Sequence, residues 1–221
     1  MFLRLRQATI IDPSSPFHDQ QKDILIKEGI ISAIGDDLEA VNAKVIHCEG
    51  LHVSPGWVDI GMQIGDPGFE HREDIESATQ AAARGGYTAI APFPNTNPVM
   101  DTKAALNYWR NHSRDNLVEL LPIGAITTSC KGKDITEMID MDRAGAIAFS
   151  DGEHSTQDNG MMMRALQYVR AFDGIVINRP YDHSLAGGGH IHEGLTSTML
   201  GMKGISHLAE NMMVVRDINL A

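Results

Sequence analysis

The first quarter of the chain alternates short apolar and polar runs. Apolar residues concentrate in three stretches, and glycines stand beside them at positions 29, 35 and 50. This spacing is typical of short strands joined by hairpin turns. We therefore predict a small β-rich domain over residues 1–54, with strands in 2–11, 22–35 and 43–55.

From residue 55 onward, short apolar strands alternate with longer amphipathic stretches. Strands are predicted near 57–62, 87–94, 117–126, 145–150 and 174–178, and helices near 73–84, 101–112, 134–143, 160–171 and 205–220. Repeated strand-then-helix units are typical of a parallel sheet with right-handed crossovers, either a barrel or a doubly wound sheet. The predicted fold class is therefore α/β.

The number of strand–helix units helps to distinguish a barrel from a doubly wound sheet. A (β/α)8 barrel needs eight strands and typically about 250 residues, whereas the 221 residues supply five units. An unclosed parallel sheet exposes apolar strand edges, which favours aggregation. We therefore expect the sequence to be part of a longer polypeptide, or its open edge to be covered by a partner.

Composition and charge narrow the class of partner. Hydrophobic residues make up 43% and charged residues 21% of the chain, which is typical of a globular protein with a real core. The formal net charge of −11 argues against nucleic acid and anionic membranes, which need a basic surface. The start of the chain has no apolar segment of the kind that a secretion signal needs, so we expect a cytoplasmic protein with small-molecule or protein partners.

Several short motifs occur in a fixed order. The chain contains Pro55-Gly56, Asp59, Pro67-Gly68, Gly85-Gly86-Tyr87-Thr88 and Pro94-Asn95-Thr96 with Pro98, followed by Gly124-Ala125-Ile126-Thr127, Gly145-Ala146, His192-Glu193-Gly194 and Arg216-Asp217-Ile218. In this order they resemble the dihydroorotase family, cyclic amidohydrolases of pyrimidine synthesis. The resemblance covers the whole chain.

The resemblance implies a fold and a metal centre. Residues 1–54 correspond to the N-terminal part of a composite β-sandwich, and 55–221 to the first five or so β/α units of an amidohydrolase barrel of the TIM type. In active members, two histidines after the first barrel strand, an aspartate after the fourth and a histidine after the fifth bind zinc. An arginine after the first strand and an asparagine after the second bind the substrate carboxylate.

The chain departs from the family at these positions. The metal-ligand positions hold Gly61, Gln63, Gly152 and Arg179, and the position of the substrate-binding arginine holds Gly65. The substrate-binding asparagine remains as Asn95, and an acid, Asp151, stands beside Gly152.

These substitutions remove the groups that would bind the metal and activate a water molecule. Glycine has no ligand atom, an amide oxygen binds zinc poorly, and Arg179 is a fixed cation that repels a metal. A bound metal lowers the pKa of water from about 15.7 to about 7. Without this lowering of the pKa of water, the activation barrier for hydrolysis is higher by on the order of 12 kcal/mol. We therefore predict no bound metal, no other cofactor and no intact catalytic residue.

Some residues allow more than one interpretation. A glycine-rich loop with His183, His190 and His192 could bind an adventitious metal, although loop histidines are usually solvated. Asp151 is either a surviving acid–base group or a hydrogen-bonded loop residue, and the second is favoured. Asn95 either binds an anion or caps its own turn.

Two functional hypotheses of different class follow. The first is a non-catalytic dihydroorotase-like protein that acts as a structural or regulatory partner, for example of aspartate transcarbamoylase or of its own copies. The alternative is an active dihydroorotase or related cyclic amidohydrolase that takes its ligands from elsewhere. A weaker possibility is a sensor that binds a small ureido or carbamoyl acid at Asn95.

Overall fold

The computed structural model describes residues 1–113 and 116–221, which form two units, Met1–Gly56 and Trp57–Ala221. Every helix in the described residues is too short or too polar to cross a membrane. The predicted α/β class is confirmed.

The first unit is one five-stranded sheet. Its strands are β1 (Phe2–Ile10), β2 (Gln21–Lys27), β3 (Ile30–Gly35), β4 (Lys44–His47) and β5 (His52–Val53). They pair in the order β3-β2-β1-β4, and β5 also pairs with β1. Ala8, Ile10, Ile24 and Cys48 form its buried core.

Only one of the predicted hairpins has a tight turn. Glu28 and Gly29 both have positive φ, 53° and 81°, which is the geometry of a two-residue turn between β2 and β3. The hairpin prediction is wrong for the third stretch, because β4 and β5 run parallel to β1. The backbone N–H of Leu38 donates to the buried carboxylate of Asp23, 3.1 Å away. This bond holds the start of the connection from β3 to the far side of β1.

The second unit is built on short parallel strands. They are β6 (Trp57–Met62), β7 (Tyr87–Pro92), β8 (Glu119–Leu120), β9 (Ile123–Gly124) and β10 (Ala148–Phe149). The strands β6, β7 and β8 pair in chain order, and β9 pairs with β10. Pro122 lies between β8 and β9, so the third predicted strand is split. The predicted fifth strand, 174–178, forms a single parallel bridge, between Phe149 and Val176.

Helices follow these strands. They are α1 (Ile75–Arg84), α2 (Lys103–His112), α3 (Met138–Arg143), α4 (Asn159–Val169), α5 (His183–Ala186), α6 (Leu195–Met199) and α7 (Leu208–Leu220). The side chains of Asp74, Thr102 and Asp158 cap α1, α2 and α4. The five predicted helices are confirmed, but α3 begins four residues later than the predicted start at 134, because Ile135 pairs with Thr127 in an extended bridge.

The core of the second unit lies between strands and helices. Ile90, Trp109, Ile126 and Phe149 are among its fully buried side chains. The indole Nε1 of Trp109 donates to the backbone oxygen of Asp66, 2.6 Å away. The sequence pattern did not predict the small elements between 183 and 205, where β11 (Ile191–His192) pairs in parallel with β12 (Gly204–Ile205).

Candidate functional site

The predicted site residues follow the carboxyl ends of the parallel strands of the second unit. This is the end at which such strands present functional side chains. One segment, residues 151–158, follows β10 and is contacted by side chains from the neighbouring strand ends. We call it the 151–158 loop.

Asn95 binds this loop at both ends of its amide. Its Nδ2 donates to the backbone oxygen of Asp151 at 3.1 Å, and its Oδ1 accepts from the backbone N–H of Glu153 at 3.0 Å. These bonds run to a loop 56 and 58 residues away. Asn95 therefore does not cap its own turn, and the acceptor end of its amide is already occupied.

Gly152 lies against the Asn95 side chain. It is buried and has a φ of +60°, in the left-handed region that favours glycine. A Cβ added at this position would overlap Oδ1 of Asn95. An aspartate, the residue expected at this position of the family, does not fit without displacing Asn95.

At two further glycines, neighbouring atoms also lie close to the position of an added Cβ. Gly61 has a φ of +89°, and an added Cβ would lie 2.8 Å from the Phe93 ring. An added Cβ on Gly65 would overlap the backbone oxygen of Phe69, whose N–H donates to the Gly65 oxygen at 2.6 Å. The obstruction is backbone at Gly65, whereas at Gly61 and Gly152 it is the end of the Phe93 or Asn95 side chain, which must move to admit a Cβ.

Gln63 and Arg179 both contact Glu153. The Gln63 amide donates to the Glu153 carboxylate, and Nη1 of Arg179 donates to the Glu153 backbone oxygen at 3.2 Å. The Arg179 guanidinium also lies over the Tyr181 ring, 5.6 Å from its centre. Sequence reasoning missed Glu153, although it directly follows two positions that were singled out.

Asp151 is buried, with 3% of its surface exposed. Its Oδ1 accepts from the backbone N–H of Thr127 at 2.9 Å, and its Oδ2 from the Thr127 hydroxyl at 2.6 Å. Burial raises the pKa of Asp151 above its ordinary value, and the bonds from Thr127 oppose that rise only in part. This geometry agrees with the interpretation of Asp151 as a hydrogen-bonded loop residue.

A second set of bonds holds the far end of the 151–158 loop. The backbone N–H of Thr156 donates to Oδ1 of Asn178 at 3.2 Å, and Nη1 of Arg216 donates to the Thr156 oxygen at 2.7 Å. Asn178 and Arg216 are in turn bound to Asp217. Only the Arg216-Asp217 pair had been noticed in the sequence, as part of a family motif.

The residues present do not fit a zinc ion. Two of the four ligand positions have no side chain and no room for one, the Gln63 amide is bonded to Glu153, and Arg179 is a cation. In residues 1–113 and 116–221, no three His, Cys, Asp or Glu side chains group closely enough to hold a metal ion. His183, His190 and His192 therefore do not form such a group among the residues that the structure describes.

Comparison with known proteins gives consistent matches. Residues 50–221 match the family model described as dihydro-orotase-like. The dihydroorotase of Acetivibrio thermocellus is 44% identical over 218 residues, which are 98% of this chain and 51% of that protein. The dihydroorotase of Pelotomaculum thermopropionicum is 42% identical over 221 residues, 100% of this chain and 52% of that protein. The chain thus spans about half the length of these relatives.

Solved structures share the fold at lower identity. The L-hydantoinase (dihydropyrimidinase) of Arthrobacter aurescens superposes with a TM-score of 0.78 and 22% identity, over 100% of this chain and 50% of that one. A crystal structure of a dihydroorotase superposes with a TM-score of 0.61 and 12% identity, over 99% of this chain and 62% of that one. At these identities, the similarity concerns the fold alone.

Replacing Asn95 tests the bracing of the loop. We expect Asn95→Ala to lower the free energy of unfolding by about 1–3 kcal/mol, because two hydrogen bonds are lost and their partners are left unpaired. Urea denaturation measures the change. Asn211→Ala is the control, since this side chain is exposed on α7, outside the 151–158 loop. Equal stability of the two variants would contradict the assigned role.

Replacing Asp151 tests the cost of burying its charge. Because the folded pKa is raised, the stability that Asp151 contributes is complete below its unfolded pKa of about 3.9 and is lost as pH rises through the folded pKa. The stability of wild type relative to Asp151→Asn should therefore fall between pH 3 and pH 7, by about 1.4 kcal/mol per unit of raised pKa.

Urea denaturation across that pH range measures this difference. Asp140→Asn serves as the control, because Asp140 is exposed on α3. A stability difference between wild type and Asp151→Asn that stays constant with pH would contradict the assignment.

Proposed function

The chain belongs to the dihydroorotase-like family, and on that premise we propose that the whole protein is a non-catalytic dihydroorotase-like component of pyrimidine biosynthesis. In this role the fold serves to present a surface that binds other proteins, and the protein acts as a structural or regulatory partner. Its second unit is an arc of a (β/α)8 barrel, and its first unit is the N-terminal part of a composite β-sandwich.

The pairing of the strands supports the barrel. In a barrel, consecutive parallel strands are neighbours, whereas a doubly wound sheet reverses its strand order at one point. Here β6, β7 and β8 are neighbours in chain order, and so are β9 and β10. The solved L-hydantoinase structure, of which the match covers 50%, agrees with such an arc.

The closed glycine positions support the loss of catalysis. Here the Phe93 ring and the Asn95 amide fill the space beside Gly61 and Gly152. Ring opening of a cyclic amide needs a metal-activated water, or about 12 kcal/mol from another source, and no group at these strand ends offers that.

Exposed apolar side chains mark a face of α7 that further protein covers, whether the rest of a longer polypeptide or a partner. On α7, Met212, Val215 and Ile218 are 54%, 54% and 71% exposed. Such a face suits cover by further protein. The proposed partner is an aspartate transcarbamoylase subunit, or further copies of the protein itself.

A working dihydroorotase is the second candidate. It is favoured by the 44% identity to the dihydroorotase of Acetivibrio thermocellus. It requires that metal ligands come from outside the described residues and that the closed glycine positions open. Binding of a ureido acid at Asn95 has weaker support, since the amide oxygen already accepts a bond from Glu153.

Metal analysis and an activity assay test the absence of catalysis. The purified full-length protein should hold less than one tightly bound zinc per ten chains and should not convert carbamoyl aspartate or dihydroorotate. Gly61→His with Gln63→His should not raise the zinc content, since the Phe93 ring occupies the added space. The Acetivibrio thermocellus enzyme, assayed alongside, is the positive control. Stoichiometric zinc or turnover by the wild-type protein would establish the second candidate instead.

Sedimentation velocity tests the role in assembly. The full-length protein mixed with an aspartate transcarbamoylase catalytic subunit should give a species that sediments faster than either component. If the protein alone already forms a larger species, self-assembly is the role. Independent sedimentation of a monomer and the subunit at micromolar concentrations would contradict the proposal.

A further inference from the structure

A basic depression lies beside the 151–158 loop. It is a cavity of about 760 Å³ between that loop, the segment after β9 and the start of α5. Four basic side chains line it: Lys131, Lys133, His154 and His183. We call this cavity, with these four residues, the basic depression. None of them belongs to the positions at which the family binds its metal or substrate.

The acidic residues in this cavity are already committed. Asp151 uses both carboxylate oxygens to accept bonds from Thr127. Asp158 caps α4 and accepts from the backbone N–H of Met161 at 2.6 Å. Neither Lys131 nor Lys133 forms a salt bridge with any residue that the structure describes. The lysine charges are thus free for a ligand, in a chain whose net charge is −11.

The wall of the cavity also contains an unsatisfied hydroxyl. Ser155 is 7% exposed and lines the cavity, and its Oγ has no hydrogen-bond partner among the described residues. Buried hydroxyls in folded proteins usually have a partner, so this Oγ, which lies just behind the cavity wall, is available to a water or ligand atom that reaches it.

We propose that the basic depression binds a phosphate monoester of a small metabolite. Lysines bind phosphate as point charges, and imidazole N–H groups add hydrogen-bond donors. A carboxylate is best held by the paired N–H groups of a guanidinium, and no arginine lines this cavity. The volume lies in the range of small-molecule sites, about 300–1,000 Å³, and leaves room for more than the phosphate group. The inference stands independently of whether the protein is catalytic.

Calorimetric titration with ribose 5-phosphate tests the proposal, with ribose as the neutral probe and inorganic phosphate as the free anion. Ribose 5-phosphate should bind, and ribose should not. Lys131→Ala and Lys133→Ala should each weaken binding about tenfold, because each removes one charge-assisted contact. Both lysines are exposed, so their removal leaves the fold intact.

Lys103→Ala is the matched control, since it removes an equally exposed lysine on α2, outside the cavity. It should leave the affinity unchanged, and Lys131→Arg should restore most of it. Equal affinity for inorganic phosphate would also support the site, with its contacts limited to the phosphate group. No binding of ribose 5-phosphate at millimolar concentration, or equal weakening by Lys103→Ala, would overturn the proposal.

Discussion

The organisation of the second unit depends on how the 151–158 loop is bound. Side chains from four other segments donate to it or accept from it: Gln63, Asn95, Thr127 and Arg179. Short parallel strands supply few ladder bonds, so these contacts between loops add connections that the sheet does not. Buried polar groups that are paired in this way fix a single arrangement, because leaving any one of them unpaired is costly.

The same bracing explains why the metal positions are closed. The Asn95 amide can reach the Asp151 and Glu153 backbone only because Gly152 has no side chain in its path. The glycine and the amide are therefore interdependent, and restoring one ligand alone breaks a bond that the loop uses. The glycine at position 152 thus removes a carboxylate and makes room for the Asn95 contacts, which is the physical basis of the proposed non-catalytic role.

Basic side chains lie at this end of the second unit. A zinc site concentrates positive charge on an ion, whereas here Arg179 places a fixed positive charge beside Glu153, at a position where the family is expected to have a ligand. Nearby, Lys131 and Lys133 remain unpaired among the described residues, while Asp151 is bound by Thr127. A chain with net charge −11 thus keeps a local basic surface that suits a small anion better than it suits a metal.

The sequence by itself determined the α/β class and the five helices of the second unit to within a few residues, and it predicted the positions at which the family's ligands are missing. These follow from local periodicity, helix caps and short motifs. Tertiary structure alone decided that β4 and β5 run parallel to β1, that Pro122 divides a strand, that Asn95 binds a loop 56 residues away and that Glu153 joins Gln63 to Arg179. Such contacts join residues far apart in the chain, and neither the alternation of apolar residues nor a motif specifies the partner of a polar side chain.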